Sequence, residues 1–136
     1  MRQQEGKVVI LTSDDVVAKQ LERLTADDGL ELIRTTSPSE TWLAMNRQQP
    51  LVVIVDLTAR SIDGHQLVAL SGRARQSDTP LLLLSKQSRK DLASFAAVIR
   101  ARDILSKGEP VANLAARIRM WAASAAACEF ELVGAV

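Results

Sequence analysis

Three runs along this chain are apolar without interruption: Val8-Val9-Ile10-Leu11, Leu51-Val52-Val53-Ile54-Val55 and Leu81-Leu82-Leu83-Leu84. Each is short and bounded by polar residues, the pattern of strands buried on both faces of a parallel sheet. Residues 30–33 and 103–105 are shorter apolar stretches and read as weaker strands. Between the runs the apolar positions take a helical period. Val17, Leu21 and Leu24 recur at spacings of four and three, and Asp14 or Asp15 stands where a helix cap belongs. Residues 39–47 follow Ser37-Pro38, a helix entry, and carry Trp42, Leu43 and Met45. Residues 65–75 follow Gly64, residues 91–100 follow the polar segment 86–90, and residues 111–121 follow Pro110 with Leu114, Ile118 and Trp121 on one stripe. Strands and helices therefore alternate, which predicts an α/β domain: a doubly wound, five-stranded parallel sheet with five helices on its two faces.

Composition narrows the function classes. A chain of 136 residues with 47% apolar residues has enough material for one packed domain. Residues 1–121 make up that domain. The Ala-rich stretch 122–136 either extends the last helix or begins a linker. A formal net charge of +1, an aromatic share of 3% and the absence of Tyr argue against a nucleic-acid partner. Arg100, Arg102, Arg117 and Arg119 form no continuous basic stripe, and Lys86, Arg89 and Lys90 read as a solvated loop and helix start or as part of a partner-binding face. One cysteine, Cys128, excludes an internal disulfide and a cysteine metal cage, and reads as a small packing residue. No run of 18 apolar residues is present, so no membrane span is expected. Met1-Arg2-Gln3-Gln4-Glu5 leads into no signal-peptide core, and a cytoplasmic setting is the expectation.

The candidate chemistry lies where the strands end. In a parallel sheet those ends converge on one edge. They carry Thr12, Ser13 and Asp14 after the first strand, Asp56 after the third, Ser85 after the fourth and Lys107 after the fifth. A carboxylate, a hydroxyl and an ammonium together suit acceptance of a phosphoryl group: the carboxylate attacks phosphorus, and the other two bind its oxygens. A divalent metal is normally part of such apparatus. Plainer readings stand beside this one. Asp56 is also a turn or capping acid, paired with Lys107 in a structural remnant. Asp14 and Asp15 suit a helix N-terminus, and Ser85 is a strand-end hydroxyl. His65 is a solvated helix start, and Trp42 and Trp121 are packing residues. A small enzyme or nucleotide binder of this fold is disfavoured, because no Gly-rich phosphate loop follows any strand.

From Lys7 to about Trp121 the chain resembles a bacterial response-regulator receiver domain. The resemblance is carried by the Asp56-Leu57-Thr58-Ala59-Arg60-Ser61-Ile62-Asp63-Gly64 segment, by the Ser85-to-Lys107 separation and by Ala101-Arg102-Asp103-Ile104-Leu105-Ser106-Lys107. It implies a flavodoxin-like fold and a non-enzymatic signalling role in a two-component phosphorelay. Asp56 would be the phosphoacceptor, with Ser85 and Lys107 binding the phosphoryl group. Mg²⁺ would be the cofactor, held by Asp56 and the carbonyl of Thr58; beside that resemblance, Asp14 stands where it could reach a metal through water. A histidine kinase or phosphotransfer protein would be the donor. A downstream protein, or a second copy in a homodimer, would dock on the face formed by residues 91–100, 103–105 and 111–121.

The departures set a second expectation. In the gapless register the family's acidic pair falls on Thr12 and Ser13; a two-residue slip would place it on Asp14 and Asp15. Neutral hydroxyls are poor replacements for carboxylates around Mg²⁺. Lys86 stands where the family prefers a small residue, Ile104 where it has a switching aromatic, and Gly108 where it has a proline. These changes imply an atypical receiver, a pseudo-receiver with weak or absent Mg²⁺-dependent phosphorylation at Asp56 that acts through protein–protein contacts. The alternative is a fully competent phosphoacceptor.

Overall fold

The computed structural model describes residues 6–59 and 62–134, with side chains described as far as Ala127. Arg60 and Ser61 inside the Asp56–Gly64 segment, the side chain of Cys128, residues 1–5 and residues 135–136 lie outside the described residues. Five strands and five helices alternate: β1 (Gly6–Leu11), α1 (Asp15–Asp27), β2 (Leu30–Thr35), α2 (Pro38–Gln48), β3 (Val52–Asp56), α3 (Gly64–Gln76), β4 (Leu81–Ser85), α4 (Arg89–Ile99), β5 (Asp103–Ser106) and α5 (Val111–Gly134). All pairings are parallel, in the order β2-β1-β3-β4-β5. This is the flavodoxin-like arrangement expected from the alternation.

The two faces divide the apolar side chains by strand parity, as period-two side chains must. Val9, Leu11, Val53, Val55, Leu81, Leu83 and Ile104 point to one face, where α2, α3 and α4 cover them with Met45, Leu67, Leu70, Ala74, Leu92, Ala96 and Ile99. Val8, Ile10, Val52, Ile54, Leu82, Leu84 and Leu105 point to the other, where α1 and α5 supply Leu21, Leu114, Ala115, Ile118 and Ala122. Every residue of β3 and β4 is buried, which is why these two strands read as unbroken apolar runs.

Local chemistry sets the helix starts. Asp14, Ser37, Asp63 and Ser88 each cap a helix by accepting from a backbone N–H. Pro38 opens α2, and Asp63 with Gln66 closes a reciprocal capping box on α3. Because Ser88 is the cap, α4 begins two residues before the stretch expected from periodicity. Nothing in the Ala-rich stretch breaks a helix, and α5 continues past Trp121 to Gly134.

Trp42 departs from its expected packing role. On α2 the buried side chains are Thr41 and Met45, and Trp42 lies one position round the helix with 39% of its surface exposed. Trp121 packs partly buried on the α1/α5 side, and its indole N–H donates to Asp103 Oδ2 at 3.0 Å. His65 is exposed at the start of α3. No helix among the described residues is long and apolar enough to cross a membrane.

Candidate functional site

The strand order reverses direction at β1, which has β2 on one side and β3 on the other. The crevice at the C-terminal ends of β1 and β3 is where open sheets of this kind hold ligands. Asp56 is the last residue of β3 and is fully buried. The Leu11↔Val55 register brings Thr12 level with it. The backbone of Thr12 is fixed toward β2: its N–H donates to the Thr35 carbonyl at 3.2 Å, and its carbonyl accepts from Arg34 Nε at 3.3 Å. Lys107 follows β5, and its N–H donates to the Ser85 carbonyl at 2.8 Å, which turns its side chain over the sheet edge.

Three side chains, those of Thr12, Asp14 and Thr58, then converge on the Asp56–Lys107 pair. Asp56 Oδ2 accepts from the Thr12 hydroxyl at 2.6 Å and from Lys107 Nζ at 2.9 Å. Asp56 Oδ1 accepts from the Thr58 backbone N–H at 2.9 Å and from the Thr58 hydroxyl at 2.7 Å. Lys107 Nζ donates further to Asp14 Oδ2 at 3.1 Å and to Thr58 Oγ1 at 3.1 Å. The Thr12 hydroxyl also accepts from the Asp14 N–H at 3.0 Å, and Asp14 Oδ1 accepts from the Val17 N–H at 3.2 Å.

The electrostatics follow from these contacts. Burial pushes the Asp56 carboxyl up, but the hydrogen bonds from Thr12, Lys107 and Thr58 outweigh it and hold the group below the usual 3.8. Burial pulls Lys107 down, and its bonds to Asp56 and Asp14 win, keeping the ammonium above the usual 10.5. Asp14 is lowered chiefly by the Val17 N–H, with Lys107 adding to the effect against some desolvation. The site is an ion cluster in which one ammonium serves two carboxylates, leaving one negative charge in excess.

The donor set fits a magnesium ion poorly. Mg²⁺ demands near-octahedral oxygens at close range and is usually gripped through one or two carboxylates. An ionised carboxylate offers about four acceptor positions, and donors from Thr12, Lys107 and Thr58 fill those of Asp56. Asp14 is committed to the α1 cap and to Lys107. Among the described residues no group of three or more His, Cys, Asp or Glu side chains is arranged to hold a metal. A cation would have to displace one of these donors to reach Asp56.

The structure thus brings Thr12, Asp14, Asp56, Thr58 and Lys107 together. Ser13 is exposed, so of the two altered acidic-pair positions only Thr12 contacts Asp56. Ser85 is buried at the same edge, but its hydroxyl accepts from the Gln87 N–H at 3.1 Å. Ile104 is buried within the α2–α4 face of the core, and Lys86 is exposed. Sequence reading assigned Thr58 a role only through its carbonyl. Its hydroxyl and N–H, and the Thr12 hydroxyl, were not foreseen as the donors that hold Asp56; a threonine directly after the first strand and another two residues past Asp56 were the available signal.

Comparison with known proteins places this arrangement. The sequence profile of the response regulator receiver domain matches residues 8–119. The transcriptional regulatory protein PrrA of Mycobacterium tuberculosis is 26% identical over 113 residues, covering 83% of this chain and 48% of PrrA. The chain therefore spans about half the length of the relatives it matches. A crystal structure assigned as a response regulator from Chloroflexus aurantiacus superposes with a TM-score of 0.74 at 27% identity, covering 88% of this chain and 99% of that one. The receiver domain of Francisella response regulator 1452 superposes with a TM-score of 0.75 at 19% identity, covering 88% and 98%. With the profile spanning all five strands and the solved receivers sharing the sheet and its helices, the chain belongs to the response regulator receiver domain family.

Proposed function

We propose that this receiver domain is atypical: it signals through protein–protein contacts, and Mg²⁺-dependent phosphorylation at Asp56 is weak or absent. The observation that carries this reading is the filled hydrogen-bond capacity of Asp56. Both oxygens are doubly bonded to donors from within the chain, and Lys107 supplies the positive charge that a metal would otherwise bring. The carboxylate is neutralised at rest, and a phosphoryl donor meets a nucleophile whose lone pairs are engaged. Lys107 and Asp56 then act as a tie between β3 and β5 across the sheet edge.

Contacts with a downstream partner, or with a second copy in a homodimer, fall to the face of α4, β5 and α5. That face presents Phe95 and Val98 of α4 and Met120 of α5, with 40%, 80% and 54% of their surfaces exposed. Between them Asp103 of β5 gathers Arg117 Nε at 3.5 Å, Arg89 Nη2 at 3.7 Å and the Trp121 indole. Apolar side chains around a charged centre suit a protein interface. Receiver domains are generally signalling domains rather than enzymes, and no catalytic turnover is assigned to this one.

The competing reading is a competent phosphoacceptor that takes a phosphoryl group from a histidine kinase or phosphotransfer protein. It is favoured by Lys107 and Ser85 standing at the same edge as Asp56. Amide spectra recorded with millimolar Mg²⁺ and beryllofluoride, a phosphoryl mimic, decide between them. The expected result is no shift at Asp56, Ser85 or Lys107. Shifts at those residues that vanish in Asp56→Ala establish the competent phosphoacceptor instead.

A further inference from the structure

The network around Asp56 leads to α1 rather than to α4. This observation goes beyond the choice between a competent and a silent site, although it rests on Lys107 holding the cluster as proposed above. Two routes run from Asp56 Oδ2 to the α1 cap. One passes through the Thr12 hydroxyl, which donates to Asp56 and accepts from the Asp14 N–H. The other passes through Lys107, whose ammonium bridges Asp56 Oδ2 and Asp14 Oδ2. Asp14 then holds the first turn of α1 through Val17.

Among the described residues the opposite direction has no such side-chain path: Lys107 meets Ser85 only through its backbone N–H, which donates to the Ser85 carbonyl at 2.8 Å. The Ser85 hydroxyl is engaged by the Gln87 N–H. Ile104 is an aliphatic side chain packed in the core cluster with Leu92, Ala96 and Ile99, and offers no polar group for Ser85 to move. The β1–α1 loop is instead anchored from β2 by one guanidinium. Arg34 Nε donates to the Thr12 carbonyl, and Arg34 Nη1 pairs with Asp15 at 2.5 Å. The loop carries exposed Ser13, and the turn beyond it carries Val16 with 65% of its surface exposed.

We infer that the state of the Asp56–Lys107 pair is read out at the first turn of α1, through Asp14, and not through Ser85 and Ile104. Loss of Lys107 from Asp14 loosens the cap that the ammonium braces, and the turn bearing Val16 frays.

Amide hydrogen exchange tests this without metal or phosphoryl mimic. Lys107→Met is introduced into an Asp56→Asn background, so that no buried carboxylate is left without its cation. Lys107→Gln in the same background is read alongside. Relative to Asp56→Asn alone, exchange at Val17 rises by up to about five-fold, the size of a weakened N-cap, and residues 89–106 change less. Unaltered exchange at Val17 in either variant, or larger changes in residues 89–106 than in α1, overturns the inference. A beryllofluoride response in the unaltered protein would overturn the proposed function and leave this result standing, so the two failures are distinguishable.

Discussion

Lys107→Met lowers the stability of the domain by about 3 kcal/mol at neutral pH, the lower end of the range for breaking a buried ion pair. The Asp56 side chain is only 1% exposed and that of Lys107 only 9%, so removal of the ammonium leaves a carboxylate in the sheet edge without its cation. The donors from Thr12 and Thr58 persist and keep the loss from being larger. Asp56→Asn added to Lys107→Met removes the orphaned charge and recovers most of the loss. A double variant no more stable than Lys107→Met alone would show that the lysine stem, not the charge pair, supplied the stability.

The pH dependence gives the same pair a separate signature. In the unaltered protein the Asp56 carboxyl is held below its usual 3.8. Its contribution is therefore present above the unfolded value and is lost as the pH falls through the folded one. Lys107 is raised above 10.5, so its contribution is present below that value and is lost as the pH rises through the folded one. In Lys107→Met the Asp56 carboxyl loses one of the bonds that lower it while burial still raises it, so it lies higher than in the unaltered protein. The variant regains relative stability as the pH falls and Asp56 takes up a proton. Denaturant midpoints for the two proteins converge as the pH falls from neutral through the carboxyl range, by roughly 1.4 kcal/mol for each pH unit that separates the Asp56 carboxyl in the two proteins. A gap that stays constant over that interval rules out a charge at Asp56 as its cause.

How much of this was legible in the chain follows from burial. β3 and β4 are buried at every position, and their apolar runs announced both strands. β2 is an outer strand that mixes exposed Arg34 with buried Thr35, whose hydroxyl pairs with Thr41, so its C-terminal part lacked an apolar signature. The meeting of Asp56 with Lys107 was legible because parallel βα order brings strand ends together whatever their separation along the chain. Which donors fill the carboxylate was not. A threonine after a strand is equally able to face solvent, as its neighbour Ser13 does. Only the register of β1 against β3 turns Thr12 toward Asp56. For the same reason Asp14 read as a helix cap or a metal ligand, and its second oxygen, bound to Lys107, carried no sequence signal.

Thr12→Asp is the substitution with the other large expected effect, and its sign depends on the metal. Without Mg²⁺ the variant is less stable than the unaltered protein. It loses the hydroxyl donor to a buried carboxylate, a cost of about 1–3 kcal/mol, and sets a like charge against Asp56, which raises one of the two carboxyls. With Mg²⁺ the two acids can share the cation, and the stability recovers by about 2.7 kcal/mol at a hundred-fold excess over Kd. The unaltered protein shows no such dependence over the same Mg²⁺ range. Ser13→Asp responds less, since Ser13 is exposed and it is Thr12 that bonds to Asp56. Thermal denaturation of the three proteins across millimolar Mg²⁺ separates two obstacles to metal binding. If Thr12→Asp gains metal-dependent stability, the missing acid is the obstacle. If its midpoint is indifferent to Mg²⁺, Lys107 keeps the cation out, because its ammonium already pairs with both Asp14 and Asp56 and stands where a cation would have to sit.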